Sequence, residues 1–360
     1  MPKGSSMKTE IKVLIAVNVL ILIFTACTLL RINYLKEHYA LDGAASSWGN
    51  GSVKYTQESV YFSGSEGKSE VDAFMLRRQM EKTLKDQAAL SDDAAGRQWI
   101  DCAYAETETS IYNGRVYTDV IATGVWGDYF VFHPEELLYG SYFSESDPNI
   151  DIIVLDDLAS WNMFGSMDTV GREVLINGRN YRIRGVVRAP DIQDRIARTA
   201  YGVKPHVYVP YQAMKDFSPY SALSVYEYCI PEKVRDFGRI VAEEVFKTQY
   251  DKGNTVEQSK RFDLIELVKG VRDIPTTAMR ISTFAYPWSE NTVRAAELEA
   301  RILAFPTALL LIITACSTVA LMFAAAKGMG AIAKRIYAFF DAQREKRLKK
   351  LYAKTHPTVQ

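Results

Sequence analysis

DIIVLDDLASWNMFGSMDTVGREVLINGRNYRIRGVVR, residues 151–188, lies midway between the chain's only two apolar runs of membrane-crossing length, and its order of elements decides the fold. An apolar run from Ile152 to Leu155 meets Asp156 and Asp157, and Leu158, Trp161 and Phe164 follow at i, i+3 and i+6. This reads as a short strand feeding an amphipathic helix with acids at its positive end. Gly165 is placed to stop the helix. Residues 174–176 alternate into Asn177-Gly178, a dipeptide suited to a type I′ turn because both central residues need φ > 0. Residues 181–187 return as a strand.

The preceding segment belongs to the same pattern: Thr123-Gly124-Val125-Trp126-Gly127-Asp128-Tyr129-Phe130, then Gly140-Ser141-Tyr142-Phe143 and Asp147. With Phe164-Gly165, Val170-Gly171, Ile176-Asn177-Gly178 and Gly185-Val186-Val187, it resembles the extracytoplasmic core domain of the MacB/FtsX-type ABC transporter permeases. The resemblance implies an α+β fold: a porter-like α/β sandwich with an inserted β-rich subdomain at about 120–222, between two transmembrane helices. It marks Gly124, Asp128, Tyr129, Phe130, Gly140, Phe164, Gly165, Gly171, Asn177, Gly178 and Gly185 as the family's fold signature. Permeases of this kind usually carry one span before the outer domain and three after it, whereas this chain shows one after it.

The first apolar run, 11–30, is interrupted only by Lys12 and Asn18, and the second, 302–326, is free of charge; both have the length of a spanning helix. The N-terminal run also has the basic start and apolar core of a signal peptide. Apolar sequence continuing past Cys27 through Leu29 and Leu30 favours an uncleaved anchor. Residues 1–10 hold Lys3 and Lys8, and 327–360 hold nine Lys/Arg against Asp341 and Glu345. By the positive-inside bias both termini are cytoplasmic and 31–301 is an extracytoplasmic domain in a bacterial cell membrane protein. The chain as a whole is neutral, so the outer domain is acidic and the tail basic.

Around the organising stretch, 52–62 reads as a strand and 70–89 as a helix with Val71, Phe74, Met75, Met80, Leu84 and Ala88 on one face. Residues 99–109 and 115–125 form a hairpin around Asn113-Gly114, and 191–204 is an irregular polar excursion. A strand at 224–230 precedes a helix over 231–247 with Val234, Phe237, Val241 and Val245 inward. The region 255–284 is the least legible. A helix starting at Ser289 runs on into the second span.

No Gly-x-x-x-x-Gly-Lys-Ser/Thr loop occurs, so ATP hydrolysis falls to another chain. His38, His133, His206 and His356 are isolated in sequence, without metal-ligand spacing to Cys or carboxylate, and no cofactor is expected. Asp156-Asp157 suits a helix dipole better than paired-carboxylate catalysis. Cys102 and Cys229 could pair in an outer compartment, but their apolar surroundings favour buried free thiols; Tyr201, Tyr208, Tyr211, Tyr220, Tyr226 and Tyr228 could line a hydrophobic-ligand surface and read more simply as strand residues packing a sheet. In the tail, Lys334, Arg335, Ile336, Phe339, Phe340, Arg344 and Arg347 suit an interfacial helix touching membrane or another protein. A basic cluster beside a membrane span is explained by lipid attraction, so nucleic acid is not an expected partner. The expected function is a non-catalytic membrane subunit of a MacB-like ABC transporter or mechanotransmission complex, serving export or resistance to amphiphiles. Its expected partners are a cytoplasmic ABC ATPase subunit, a second, full-length permease subunit and the lipid membrane. The alternative is a two-span receptor, or an anchored assembly factor whose outer domain binds a ligand or protein.

Overall fold

In the computed structural model, α1 (Lys3–Tyr39) and α2 (Gly43–Trp48) lead into β1 (Tyr55–Tyr61), α3 (Glu70–Asp86), β2 (Ile100–Tyr112), β3 (Tyr117–Gly127) and α4 (Tyr129–Phe132). There follow β4 (Leu137–Gly140), β5 (Ile152–Asp156), α5 (Asp157–Phe164), β6 (Glu173–Ile176), β7 (Arg179–Val187), α6 (Arg195–Tyr201), β8 (His206–Pro210) and α7 (Tyr211–Phe217). The chain continues through β9 (Val225–Pro231), α8 (Phe237–Phe246), β10 (Thr255–Glu257), α9 (Leu264–Lys269), a 3₁₀ turn (Gly270–Asp273) and α10 (Trp288–Thr355). The structure describes residues 3–48, 53–64, 67–91, 96–191, 194–202, 204–246, 255–274 and 286–355. His356 and residues 275–284 of the illegible stretch lie outside them.

One sheet runs in the order β10-β1-β9-β2-β3-β8-β5-β7-β4, with β6 added against β2 and β7. Its β10-β1-β9-β2 part is a split β-α-β arrangement: β1 reaches β2 through α3, β9 reaches β10 through α8, and α3 packs beside α8. The interval between β2 and β9 supplies β3 to β8. Both faces of the sheet are covered. Met80, Leu84, Val241 and Val245 belong to the core of the α3/α8 face, while Tyr61, Tyr104, Tyr129, Phe132 and Tyr208 fill the other. Burial on both sides explains why every residue of β9 is buried, whereas a half-exposed strand would alternate.

The organising stretch folds in the expected order but with its helix rotated. Trp161 of α5 is 57% exposed, and Ala159, Ser160 and Met163 face inward. The cap sets this phase: Asp156 Oδ1 accepts from Ala159 N at 2.6 Å while its Oδ2 accepts from His206 N of β8 at 2.6 Å. Tying the helix start to the sheet brings the small side chains inward. Gly165 ends α5 in the left-handed region at φ 62°, and Asn177 and Gly178 take φ 48° and 82°, as a type I′ turn requires. The other Asn-Gly pair behaves differently, because Asn113 Oδ1 accepts from Arg115 N and Val116 N at 2.9 and 2.8 Å. That side-chain turn spreads the connection over four residues, 113–116.

A capping box at Ser69 and Asp72 starts α3, whose buried face is Ala73, Met80, Thr83 and Leu84. Val71, Phe74 and Met75 are exposed, against expectation: the helix has more apolar residues than the sheet can cover. Residues 231–236 are not helical. Pro231 still pairs with Tyr55, so α8 begins only at Phe237 and leaves Val234 outside. Asp194 caps α6 inside the supposed irregular excursion by accepting from Ile196 N and Ala197 N.

The chain divides into two compact units, 32–302 and the combination of 1–31 with 303–360. In the second, α1 and α10 each carry a stretch long and apolar enough to cross a membrane. There the Asn18 amide donates to Ser317 Oγ, and Thr307 Oγ1 donates to Thr28 Oγ1 at 2.9 Å. Paired polar contacts of this sort hold apolar helices together where water is absent.

Candidate functional site

The middle of β1, Thr56-Gln57-Glu58-Ser59, is polar yet fully buried, so each polar group there needs a partner. Several of those partners come from β10 and the loop after it, among them Glu257, Gln258 and Ser259, and that loop in turn meets the first turns of α10. Glu290, Arg294, Glu297 and Arg301 stand at i, i+4, i+7 and i+11, which aligns them on one face of α10. Arg261 approaches that face. It grips Glu290 with two bonds, Nη1 to Oε2 at 2.8 Å and Nη2 to Oε1 at 2.9 Å, and its Nε reaches Glu297 Oε2 at 2.7 Å. Arg294 Nε donates to Glu290 Oε1 at 2.8 Å, Tyr61 Oη to Glu290 Oε2 at 2.8 Å, and Arg301 pairs with Glu297. Burial alone would disfavour the Arg261 cation. The Glu290 and Glu297 carboxylates outweigh it and raise its pKa, so the guanidinium keeps its charge.

From this clasp the network crosses the sheet. Gln258 accepts from Arg261 Nη1 at 3.1 Å and donates to Ser59 Oγ at 3.1 Å, and Ser59 donates to Glu227 Oε1 at 2.5 Å. Ser59, Glu227 and Cys102 are cross-strand neighbours on one rung of β1, β9 and β2. His133, just after α4, donates from Nε2 to Glu227 Oε2 at 2.6 Å, and the Cys102 thiol lies 3.6 Å from the same oxygen. Tyr129 stacks on His133 with ring centroids 4.6 Å apart, and Tyr104 meets it edge-on at 5.3 Å. Burial works to lower the His133 pKa, but the Glu227 carboxylate beside it gives a net rise. Burial and then Glu227 push the Cys102 thiol well up. His133, isolated in sequence, is thus gathered with Cys102 and Glu227, their ligand-capable atoms all within 4.8 Å of one another.

The signature residues do not converge on one point; each shapes a local junction. Gly124 lets Met214 of α7 approach, since a Cβ there would sit 2.6 Å from its sulfur. Asp128 pairs with Arg97 at 2.6 Å, Tyr129 is fully buried, and Phe130 stacks on Tyr142 at 4.4 Å. Gly140 and Gly185 face each other across β4 and β7; a Cβ on Gly140, at φ +76°, would lie 2.1 Å from the Arg184 carbonyl oxygen. Arg172 lies over the Phe164 ring at 5.1 Å, and the Gly171 amide donates to the Ile183 carbonyl at 2.8 Å. Gly165, Asn177 and Gly178 are the turn positions described above. Tyr208, Tyr211, Tyr226 and Tyr228 are buried, whereas Tyr220 is 97% exposed. Cys102 and Cys229 are buried free thiols. The tail residues Lys334, Arg335, Ile336, Phe339, Phe340, Arg344 and Arg347 are all exposed on α10.

A mixed α/β domain carried between two membrane-length helices defines the class. The model of the MacB-like periplasmic core domain matches residues 44–241, more than half of the chain, and the chain belongs to that family. It is a membrane protein with an extracytoplasmic domain of the kind found in ABC-type transporter permeases. Among solved structures, the periplasmic region of MacB from Actinobacillus actinomycetemcomitans is 18% identical, with 59% of this chain and 92% of that one aligned and a TM-score of 0.39. The extracellular domain of the noncanonic ABC-type transporter YknZ from Gram-positive bacteria is 15% identical, covering 56% and 97%, with a TM-score of 0.35. No curated protein matches the chain.

Sequence reasoning missed Arg261, Glu290, Glu297 and the Cys102–His133–Glu227 group. The alternating charges at helical spacing before the second apolar run were a usable signal for Glu290 and Glu297, but not for Arg261, which lies on the loop after β10. Nothing local marks the others, because their elements lie far apart in the chain.

Proposed function

We propose that the protein is a non-catalytic membrane subunit of a MacB-like ABC transporter or mechanotransmission complex, with both termini in the cytoplasm. In this reading a cytoplasmic ABC ATPase drives the complex, a second, full-length permease completes it, and export of peptides or other amphiphiles is its task. The observation that carries the proposal is the Arg261 clasp. It fixes the first turns of α10, whose helix continues into the second apolar stretch, to the interior of the sheet through Glu290 and Glu297. A displacement of that helix along its axis would load the sheet instead of being absorbed by a loose joint, which is the rigid two-state coupling such a complex needs. The basic face with Lys334, Arg335, Arg344 and Arg347 would meet anionic lipid or the ATPase.

Affinity purification of the full chain from native membranes tests this. Recovery of an ABC ATPase and a multi-span permease, with an ATPase rate that changes when the chain is deleted, is the expected result. Recovery of neither, together with an unchanged ATPase rate, would sink the reading.

A further inference from the structure

The Cys102, His133 and Glu227 group is a second chemical feature that coupling does not use. Three donor types, thiol, imidazole and carboxylate, arrive from β2, the turn after α4, and β9, and all three side chains are buried. From the structure we infer that they form a binding site for a divalent transition metal ion of the zinc class.

The geometry is close to what such an ion requires. Zinc–sulfur bonds near ~2.3 Å and zinc–nitrogen or zinc–oxygen bonds near ~2.0 Å, arranged tetrahedrally, set donor atoms roughly 3.3–3.6 Å apart. Cys102 Sγ is already 3.6 Å from Glu227 Oε2. The 2.6 Å contact between His133 and Glu227 must open by less than an ångström when the proton they share leaves, and the thiol and imidazole, which lie within 4.8 Å of each other, must settle at ~3.5 Å. A thiolate and a carboxylate balance the charge of a divalent cation, so the loaded site is neutral, as a fully buried site should be. Uptake releases two protons, one from the thiol and one from the imidazolium. The second shell is in place: Ser59 holds the other Glu227 oxygen at 2.5 Å, and Tyr129 fixes the imidazole plane by stacking. An independent observation points the same way. The Tyr104 hydroxyl, buried against this group with Glu227 and Cys102 as electrostatic neighbours, has no hydrogen-bond partner among the described residues, and an ion or its bound water would satisfy it. Mixed sulfur, nitrogen and oxygen donors suit zinc better than magnesium or calcium. Because the site is enclosed, the ion enters as the domain folds.

Full-length protein purified from cells grown with zinc, and separately with cobalt, supplies the test. Expected are about one zinc per chain by elemental analysis, sulfur in the metal's first shell by X-ray absorption, and a thiolate-to-cobalt charge-transfer band in the cobalt form. Cys102→Ser abolishes the band and His133→Gln weakens metal retention, whereas Cys229→Ser, the other buried thiol, leaves both intact. Zinc far below stoichiometry, or a wild-type metal shell without sulfur, overturns the inference and leaves a hydrogen-bonded trio. The wild-type measurements decide this even if a variant fails to fold.

Discussion

Replacing Arg261 with Met removes the cation that bridges Glu290 and Glu297 while keeping most of the side chain's volume. Glu290 keeps Arg294 and Tyr61, and Glu297 keeps Arg301, so neither carboxylate is stripped of all partners. Both nevertheless lose charge-assisted bonds of 2.7–2.9 Å in a buried setting. Breaking a buried pair from one side costs about 3–5 kcal/mol. In a domain of this size each kcal/mol moves the midpoint by roughly 2–4 °C, which puts the expected fall at about 6–20 °C. Thermal unfolding of the full chain in detergent, followed by tryptophan fluorescence, measures it, with Trp288 at the start of α10 as a local reporter. Arg188→Met is the control: its pair with Glu136 is exposed on both sides, where water and salt screen the attraction and little stability is at stake. Arg261→Lys should fall between the two, since it keeps the charge without the two-pronged grip. Equal midpoints for Arg261→Met and Arg188→Met would refute the idea that this clasp holds the helix to the sheet.

Two further outcomes follow from the same physics. Glu58 is buried with neither oxygen hydrogen-bonded among the described residues, and burial first, then Glu257, raises its pKa well above the usual carboxylate value despite Lys260 and Arg239 nearby. A carboxyl raised on folding supports the fold fully below its ordinary pKa and withdraws that support as pH rises. Glu58→Gln should therefore flatten the stability–pH curve and exceed wild type at pH 8; an unchanged slope would count against it. Glu106 and Glu135, pushed up to about 7 by burial, add a slope of the same sign that the variant retains. Gly140→Ala drives a methyl to 2.1 Å from the Arg184 carbonyl at a left-handed φ of +76° and should cost on the order of 2 kcal/mol in urea unfolding, whereas Gly114→Ala, with open space around it, pays only the φ penalty.

The elements of 151–188 were legible because their signals are local. Asn177-Gly178 needs only its own φ angles, and Gly165 only its place at the end of a helical run. The rotation of α5 was not legible: Leu158, Trp161 and Phe164 outweigh Ala159, Ser160 and Met163 in any periodicity, yet the latter three are buried, Phe164 packs at the core's edge and Trp161 is left exposed, because Asp156 is bound to both Ala159 and His206. The buried acids of β1 and β9 were invisible for a related reason. Glu58 and Glu227 look like solvent-facing positions of alternating strands until a second layer covers the other side of the sheet.

By itself, the sequence determined the family, the two apolar stretches, the turn positions and the continuous helix that begins beside Trp288, since these depend on composition and on residues within a few positions of each other. Tertiary structure decided which polar groups share the interior. Arg261 meets Glu290 across 29 positions and Cys102 meets Glu227 across 125, and only the interleaving of β9 between β1 and β2 brings Ser59, Glu227 and Cys102 onto one rung. Charge pairing and metal-ligand geometry act over a few ångströms in space, and no spacing along the chain encodes them.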